Sequence, residues 1–175
     1  MSRSDGRPLK SIAPVMKLAA HLSERRTDAQ VFGKETIFTD RIDSFLDENR
    51  AEGRHLGYTA VLIAGLVRLL AERPELNRFV MKGQFYARHG IHISMIVKRS
   101  RDENAEETSL KLSFTGTENV FDVAESLQRA VAGVRSGDTT EAVSTAERIM
   151  AGPGPTKRFL VRLLKMMDSL NVLPR

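Results

Sequence analysis

Residues 57–98, GYTAVLIAGLVRLLAERPELNRFVMKGQFYARHGIHISMIVK, supply most of the apolar surface from which a core can be built. Between 58 and 71 only Thr59 and Arg68 are clearly polar, so the run reads as a helix that is apolar nearly all round and needs cover on more than one side. A bilayer needs ~20 apolar residues. This run is shorter and Arg68 interrupts it, so a buried helix is expected and a membrane span is not. Pro74 stops the helix, because proline lacks the amide hydrogen and fixes φ. After the PELNR turn, RFVMKGQFYAR predicts two short strands joined at Lys82-Gly83, where a glycine can take a positive φ. Gly90 then opens a strand in which Ile91, Ile93, Met95 and Val97 face one way and His92, Ser94 and Lys98 the other. Ile96 alone breaks the alternation.

At 175 residues and 41% hydrophobic, the chain is long enough for one globular domain with a real core. It has no cysteine, which excludes disulfides, thiolate metal sites and a cysteine nucleophile and fits a reducing cytoplasm. The opening MSRSDGRPLK has no apolar signal region behind its charges, so a soluble, cytoplasmic protein is expected. A formal net charge of +5 raises nucleic acid, or an anionic small ligand such as a phosphorylated cofactor, as partners. Lys and Arg are interspersed with acids along most of the chain, however, and not massed with aromatics. A solvated, mildly basic surface is the leading expectation.

Residues 1–14 are polar, carry Gly6, Pro8 and Pro14, and show no sustained period, so they predict a flexible arm lying on a neighbouring surface. Val15, Leu18, Ala19 and Leu22 predict a short amphipathic helix. DAQVFGKETIFTDRI (28–42) is rich in β-branched and aromatic residues and predicts extended structure with a bend at Gly33. Asp40 and Asp43 offer N-cap oxygens for a helix carrying Ile42, Phe45 and Leu46. RDENAEE (101–107) reads as a solvated loop. SLKLSFT (109–115) predicts a strand with Leu110, Leu112 and Phe114 inward. Val120, Phe121, Ala124, Leu127, Val131 and Val134 form a helical stripe, preceded by Thr115 and Glu118 at capping-box spacing. TTEAVSTAERIM (139–150) predicts a further helix, GPGP (152–155) a break, and TKRFLVRLLKMMDSL (156–170) a last helix with a wide apolar face.

The long apolar helix, ERPELNRFV, the glycine-turn hairpin and GIHISMIVKR, in that order, resemble the first half of the catalytic domain of the 2-oxo acid dehydrogenase dihydrolipoamide acyltransferases. Pro74, Glu75, Leu76 and Asn77 match that family's His-Pro-Glu-Leu-Asn type turn, and Ile91, Ile93 and Val97 its Asn-Ile-Gly-Ile-Ala-Val type strand. Chloramphenicol acetyltransferases have a similar order of elements. The match is good over 29–98 and looser beyond. It implies an α/β (α+β sandwich) fold, a mixed sheet covered by helices, here truncated, so that 15–175 is a partial catalytic domain. It also implies a trimer with active sites between subunits. In the family, acyl groups move between coenzyme A and a lipoyl or other acceptor, and the histidine of a His-x-x-x-Asp-Gly motif removes the acceptor's proton. General-base work of that kind needs an imidazole whose pKa lies near the working pH.

None of His21, His55, His89 and His92 has an aspartate four places on, so the motif is absent and the catalytic residues are unassigned. The expectation is a domain that needs a missing C-terminal half, supplied by a complementary chain or lost from a fragment. Association is expected, as a homo-oligomer or with that complementary chain, with a lipoyl-bearing protein as a further partner. The alternative is a non-catalytic oligomerisation or regulatory module derived from the same fold. A third reading, nucleic-acid binding through the basic last helix, is weaker. His92 and Ser94 lie on the polar face of the strand that lines the family's substrate channel, so they are the candidate channel residues; an ordinary solvent face is the competing reading. His89 and His92 fall across a glycine and a strand with no supporting carboxylate or cysteine cluster, so no metal site is expected. Lys157, Arg158 and Arg162 could receive coenzyme A phosphates or simply keep their helix soluble. Arg25 and Arg26 near Asp28 suggest a structural ion pair.

Overall fold

The structure, a computed structural model, describes residues 3–23, 26–100, 102–103, 105–136 and 153–170. The helix expected over 139–150, Gly152 and the Arg25/Arg26 ion pair fall on residues or side chains outside that description. Among the described residues are five α-helices, α1 (Pro14–Leu22), α2 (Asp40–Ala51), α3 (Tyr58–Glu72), α4 (Val120–Ser136) and α5 (Gly154–Ser169). There are five strands, β1 (Gly6–Pro8), β2 (Arg78–Met81), β3 (Gln84–Arg88), β4 (Ile91–Lys98) and β5 (Glu107–Phe114). No helix is long and apolar enough to cross a membrane among these residues.

The fold is mixed α and β, but the single mixed sheet expected from sequence is replaced by two small antiparallel sheets, one of order β1-β3-β2 and one of β4-β5. The reason is in the connections. β2 and β3 are joined by two residues, and β4 and β5 by a loop of eight, whereas parallel pairing needs a crossover of a dozen or more. The chain divides into two compact units, residues 1–91 with 114–125 and residues 92–113 with 126–175.

In the first unit the supposed arm is a strand. β1 pairs antiparallel with β3, matching Gly6 to Arg88 and Pro8 to Tyr86. The amides of Leu9 and His89 donate to the carbonyls of Phe85 and Asp5 on either side of this pairing, both at 2.9 Å. Arg3 is buried and its Nε lies 3.0 Å from Asp5 Oδ1. Gly6 is what permits the docking: a Cβ there would lie 2.7 Å from the Ala87 carbonyl oxygen and 2.8 Å from the Phe79 ring. The glycine serves close approach where the sequence suggested freedom. Pro8 is tolerated because β1 is an edge.

The β2-β3 turn is as expected, with Lys82 at φ 51° and Gly83 at φ 73°, the left-handed pair of a type I′ turn. α3 departs from expectation. It buries one stripe, Ala60, Ile63 and Val67, while Leu62, Leu66 and Leu69 are exposed. The cover expected on more than one side is therefore not seen among the described residues, and residues 30–39, expected to be extended, form no strand and stand in solvent. α1 likewise buries nothing.

In the second unit the alternation of β4 and β5 is observed. Ile93, Met95 and Val97 are half-buried while Ser94, Ile96 and Lys98 are exposed. In β5, Thr108, Leu110 and Leu112 are buried and Ser109, Lys111 and Ser113 exposed. α5 begins two residues earlier than its sequence pattern, with Pro155 in its first turn, where a missing amide costs nothing. Leu160, Leu163, Leu164 and Met167 on its apolar face are half-buried, and Phe159 and Leu170 are exposed.

Candidate functional site

The four residues that carry the resemblance build one corner. α3 ends at Glu72, and Pro74, Glu75 and Leu76 wind into a single 3₁₀ turn. Asn77 closes it: its amide donates to the Pro74 carbonyl at 3.1 Å, its carbonyl accepts from the Arg88 amide at 3.1 Å, and its side-chain Nδ2 donates to the Gly90 carbonyl at 2.9 Å. One asparagine thus fixes the start of β2 against the end of β3 and the glycine before β4. Its short amide side chain is suited to this, since it carries both donor and acceptor and is held by few rotatable bonds.

His92 sits on β4, half-buried, with Nδ1 2.9 Å from the Ser113 Oγ on β5. The bond runs either way according to tautomer, and in either direction it orients the imidazole. Ser94, two residues on, is exposed on the same face of the strand. Ser113 was not singled out from the sequence, although its outward place in the alternation of 109–114 gives it a position on the polar face. Among the described residues no group of three or more His, Cys, Asp or Glu is arranged to hold a metal ion. Of the helix cations, Arg158 and Arg162 are exposed and Lys157 half-buried.

A marked electrostatic perturbation lies at the entrance to α4. Burial pushes the Glu118 carboxyl pKa up, but hydrogen bonds outweigh it and hold the value at about 2. The Thr115 amide and hydroxyl donate to Oε1 at 2.7 and 2.8 Å, and the Gly116 amide donates to Oε2 at 2.8 Å. Gly116 takes φ 99°, and a Cβ there would meet Ala71 at 2.9 Å. The carboxylate ties the tight turn together through the backbone and hydroxyl donors of Thr115 and Gly116.

A second feature was not legible as a site. α1 and the β2-β3 hairpin enclose an open cleft of about 1070 Å³, lined by Met16, Ala19, Ala20 and His21 of the helix and by Arg78, Val80, Lys82 and Phe85 of the hairpin, among others. The cross-strand register puts Arg78, Val80 and Phe85 on one face. Phe79 and Tyr86 lie on the other, stacked at 5.2 Å with the Arg88 guanidinium 4.7 Å above the Phe79 ring. The turn tip touches His21, because a Cβ on Gly83 would collide with that imidazole.

Neither a protein-family model nor a curated protein matches this sequence.

Proposed function

We propose that residues 15–175 are part of an acyl-transferring domain of the dihydrolipoamide acyltransferase and chloramphenicol acetyltransferase kind, which takes coenzyme A thioesters and acts with a second half that brings the general-base histidine. What supports the reading is the corner at residues 72–90. Of the residues that carry the resemblance, Pro74 to Leu76 wind the turn after the helix, and Asn77 ties that turn to the end of the hairpin and to Gly90 before β4. In this reading the acceptor thiol gives its proton to that histidine, its sulfur attacks the thioester carbonyl, and coenzyme A leaves as the thiol once it recovers the proton. His92 and Ser94 line the channel for the acyl or pantetheine chain. The protein works in the cytoplasm as a homo-oligomer, a trimer by resemblance, or with a complementary chain, and receives acyl groups from or delivers them to a lipoyl-bearing protein.

A second reading, a non-catalytic assembly module, is favoured by one observation: Phe32, Phe38 and Leu22 present large apolar side chains to solvent, at 90%, 84% and 73% exposure. Calorimetry with acetyl-coenzyme A, on the chain alone and co-expressed with an acyltransferase half-domain bearing His-x-x-x-Asp-Gly, separates the two. The enzyme reading expects saturable binding in both and transfer to dihydrolipoamide only in the pair. Absence of binding in both leaves the assembly module.

A further inference from the structure

Two stretches far apart in sequence, 3–22 and 78–88, come together as β1, α1 and the β2-β3 hairpin. They contribute Arg3, Arg7, Lys10, Lys17, Arg78, Lys82 and Arg88 against the single acid Asp5, a formal +6 where the whole chain carries +5. The remainder of the chain is therefore slightly acidic, and the basic character that looked dispersed along the sequence is a property of this one piece of the fold. Asp5 is already held by Arg3. Among the described residues neither Arg78 nor Lys82 has a carboxylate within 4.0 Å, and no described residue lining the cleft is acidic. Arg78 and Lys82 flank the Val80–Phe85 pair along one face of the hairpin, and with Met16, Ala19 and Ala20 of the helix they form a surface with two chemistries. The flanking cations favour an anion, and the apolar floor between them excludes water.

We propose that the cleft between α1 and the β2-β3 hairpin binds a phosphorylated small molecule, its phosphates on Arg78 and Lys82 and its apolar or aromatic part against Val80 and Phe85. Arg78 offers a planar fork suited to two phosphate oxygens, and Lys82 a point charge. The volume of about 1070 Å³ is at the upper end of what small-ligand sites use and accommodates a nucleotide-sized molecule. The inference does not depend on the acyltransferase reading. Coenzyme A and ordinary nucleotides share the required chemistry, and the experiment separates them.

Binding is measured by titration calorimetry on the full chain with pyrophosphate, ADP, 3′,5′-ADP and acetyl-coenzyme A, and with a single-stranded oligonucleotide as the polyanion control. The expected result is saturable binding of ADP or 3′,5′-ADP, tighter than pyrophosphate because the ring adds contact, and weakened by added salt. Arg78→Gln and Lys82→Asn each weaken it about tenfold, as loss of a charge-assisted hydrogen bond does. Asparagine keeps the left-handed turn, so far-ultraviolet circular dichroism and Tm remain those of the parent. Preference for acetyl-coenzyme A or 3′,5′-ADP over ADP assigns the source to coenzyme A. Equal binding leaves the cleft assignment standing while removing support from the acyltransferase reading. The proposal is overturned if no small phosphate binds, if both variants bind as the parent does, or if only the oligonucleotide binds.

Discussion

Thr108 is the residue at which this protein most plainly carries an uncompensated cost. It occupies the first inward position of β5, is 3% exposed, and its Oγ1 is buried without a hydrogen-bond partner among the described residues. A buried hydroxyl without a partner costs about 1–3 kcal/mol of desolvation, which a methyl in the same place avoids. Thr108→Val is therefore expected to stabilise the protein by about 1 kcal/mol, seen as a higher urea midpoint with an unchanged slope. Glu118 carries the opposite kind of interaction. Its folded pKa of about 2 lies below the ordinary 4.5, so the folded state favours the carboxylate. That stability is present above about pH 4.5 and is lost as pH falls toward about 2. Because the carboxylate is only partly buried, solvent and salt screen the effect. Glu118→Gln should flatten the pH dependence of Tm across that window, lowering Tm above about pH 4.5, where the carboxylate contributes, and converging on the parent as pH falls toward about 2. An equal acid slope in parent and variant would refute the assignment.

At the level of elements, the true cap of α4 is one helical turn beyond the Thr115/Glu118 pair. Asn119 Oδ1 accepts from the amides of Phe121 and Asp122 at 2.8 and 3.1 Å, and Asp122 Oδ2 accepts from the Asn119 amide at 2.9 Å. That is a reciprocal capping box built from Asn and Asp. Asn119→Ala should cost about 1 kcal/mol, within the usual range for a lost N-cap, whereas Thr115→Ala should cost less because Glu118 keeps its two backbone donors. Chemical denaturation of the two variants decides which box holds the helix. The hairpin supplies a sharper case. Gly83→Ala puts a side chain at φ 73° and against the His21 ring, so it should destabilise by about 1–2 kcal/mol or more. The features read correctly from the sequence share one property. The Lys82-Gly83 turn and the alternation of β5 depend on neighbours within a few residues, whereas the stripe of α4 is shifted from expectation, with Phe121 exposed and Val123 fully buried. The features misread depend on distant ones. Gly6 and Pro8 looked like breakers, but their meaning is set by Ala87, Phe79 and Tyr86, about eighty residues away. The residues of VFGKETIF have high strand propensity and form no strand, because a strand needs an edge to pair with and propensity does not supply one. His92 was placed on the polar face of its strand correctly; its partner Ser113 became apparent only once β4 and β5 were paired.

Among the described residues, charge and exposed apolar side chains are each unevenly placed, and α1 carries both. The positive excess collects on β1, α1 and the hairpin, while the largest exposed apolar side chains cluster between residues 31 and 38, where Val31, Phe32, Ile37 and Phe38 surround only Lys34 and Glu35 as charged residues. Exposed apolar groups this close together are expensive in water, at roughly 1.5–3 kcal/mol for each large side chain that a partner could bury. A segment of this composition, rich in β-forming residues and unpaired, is suited to covering by another chain. Association through it is part of the proposed assembly, and it can be tested without disturbing the fold. Phe32 and Phe38 bury so little in the isolated chain that Phe32→Asp and Phe38→Asp together should shift its unfolding free energy by no more than about 0.5 kcal/mol for each substitution. Removing two apolar anchors and adding two like charges should at the same time weaken self-association by at least about a hundredfold, on the same area arithmetic. Sedimentation velocity over a range of concentrations distinguishes the outcomes. Concentration-dependent association in the parent that disappears in the double variant, at unchanged Tm, identifies residues 31–38 as the contact. A parent that stays monomeric throughout, or a variant that associates as the parent does, assigns these side chains no role in self-assembly.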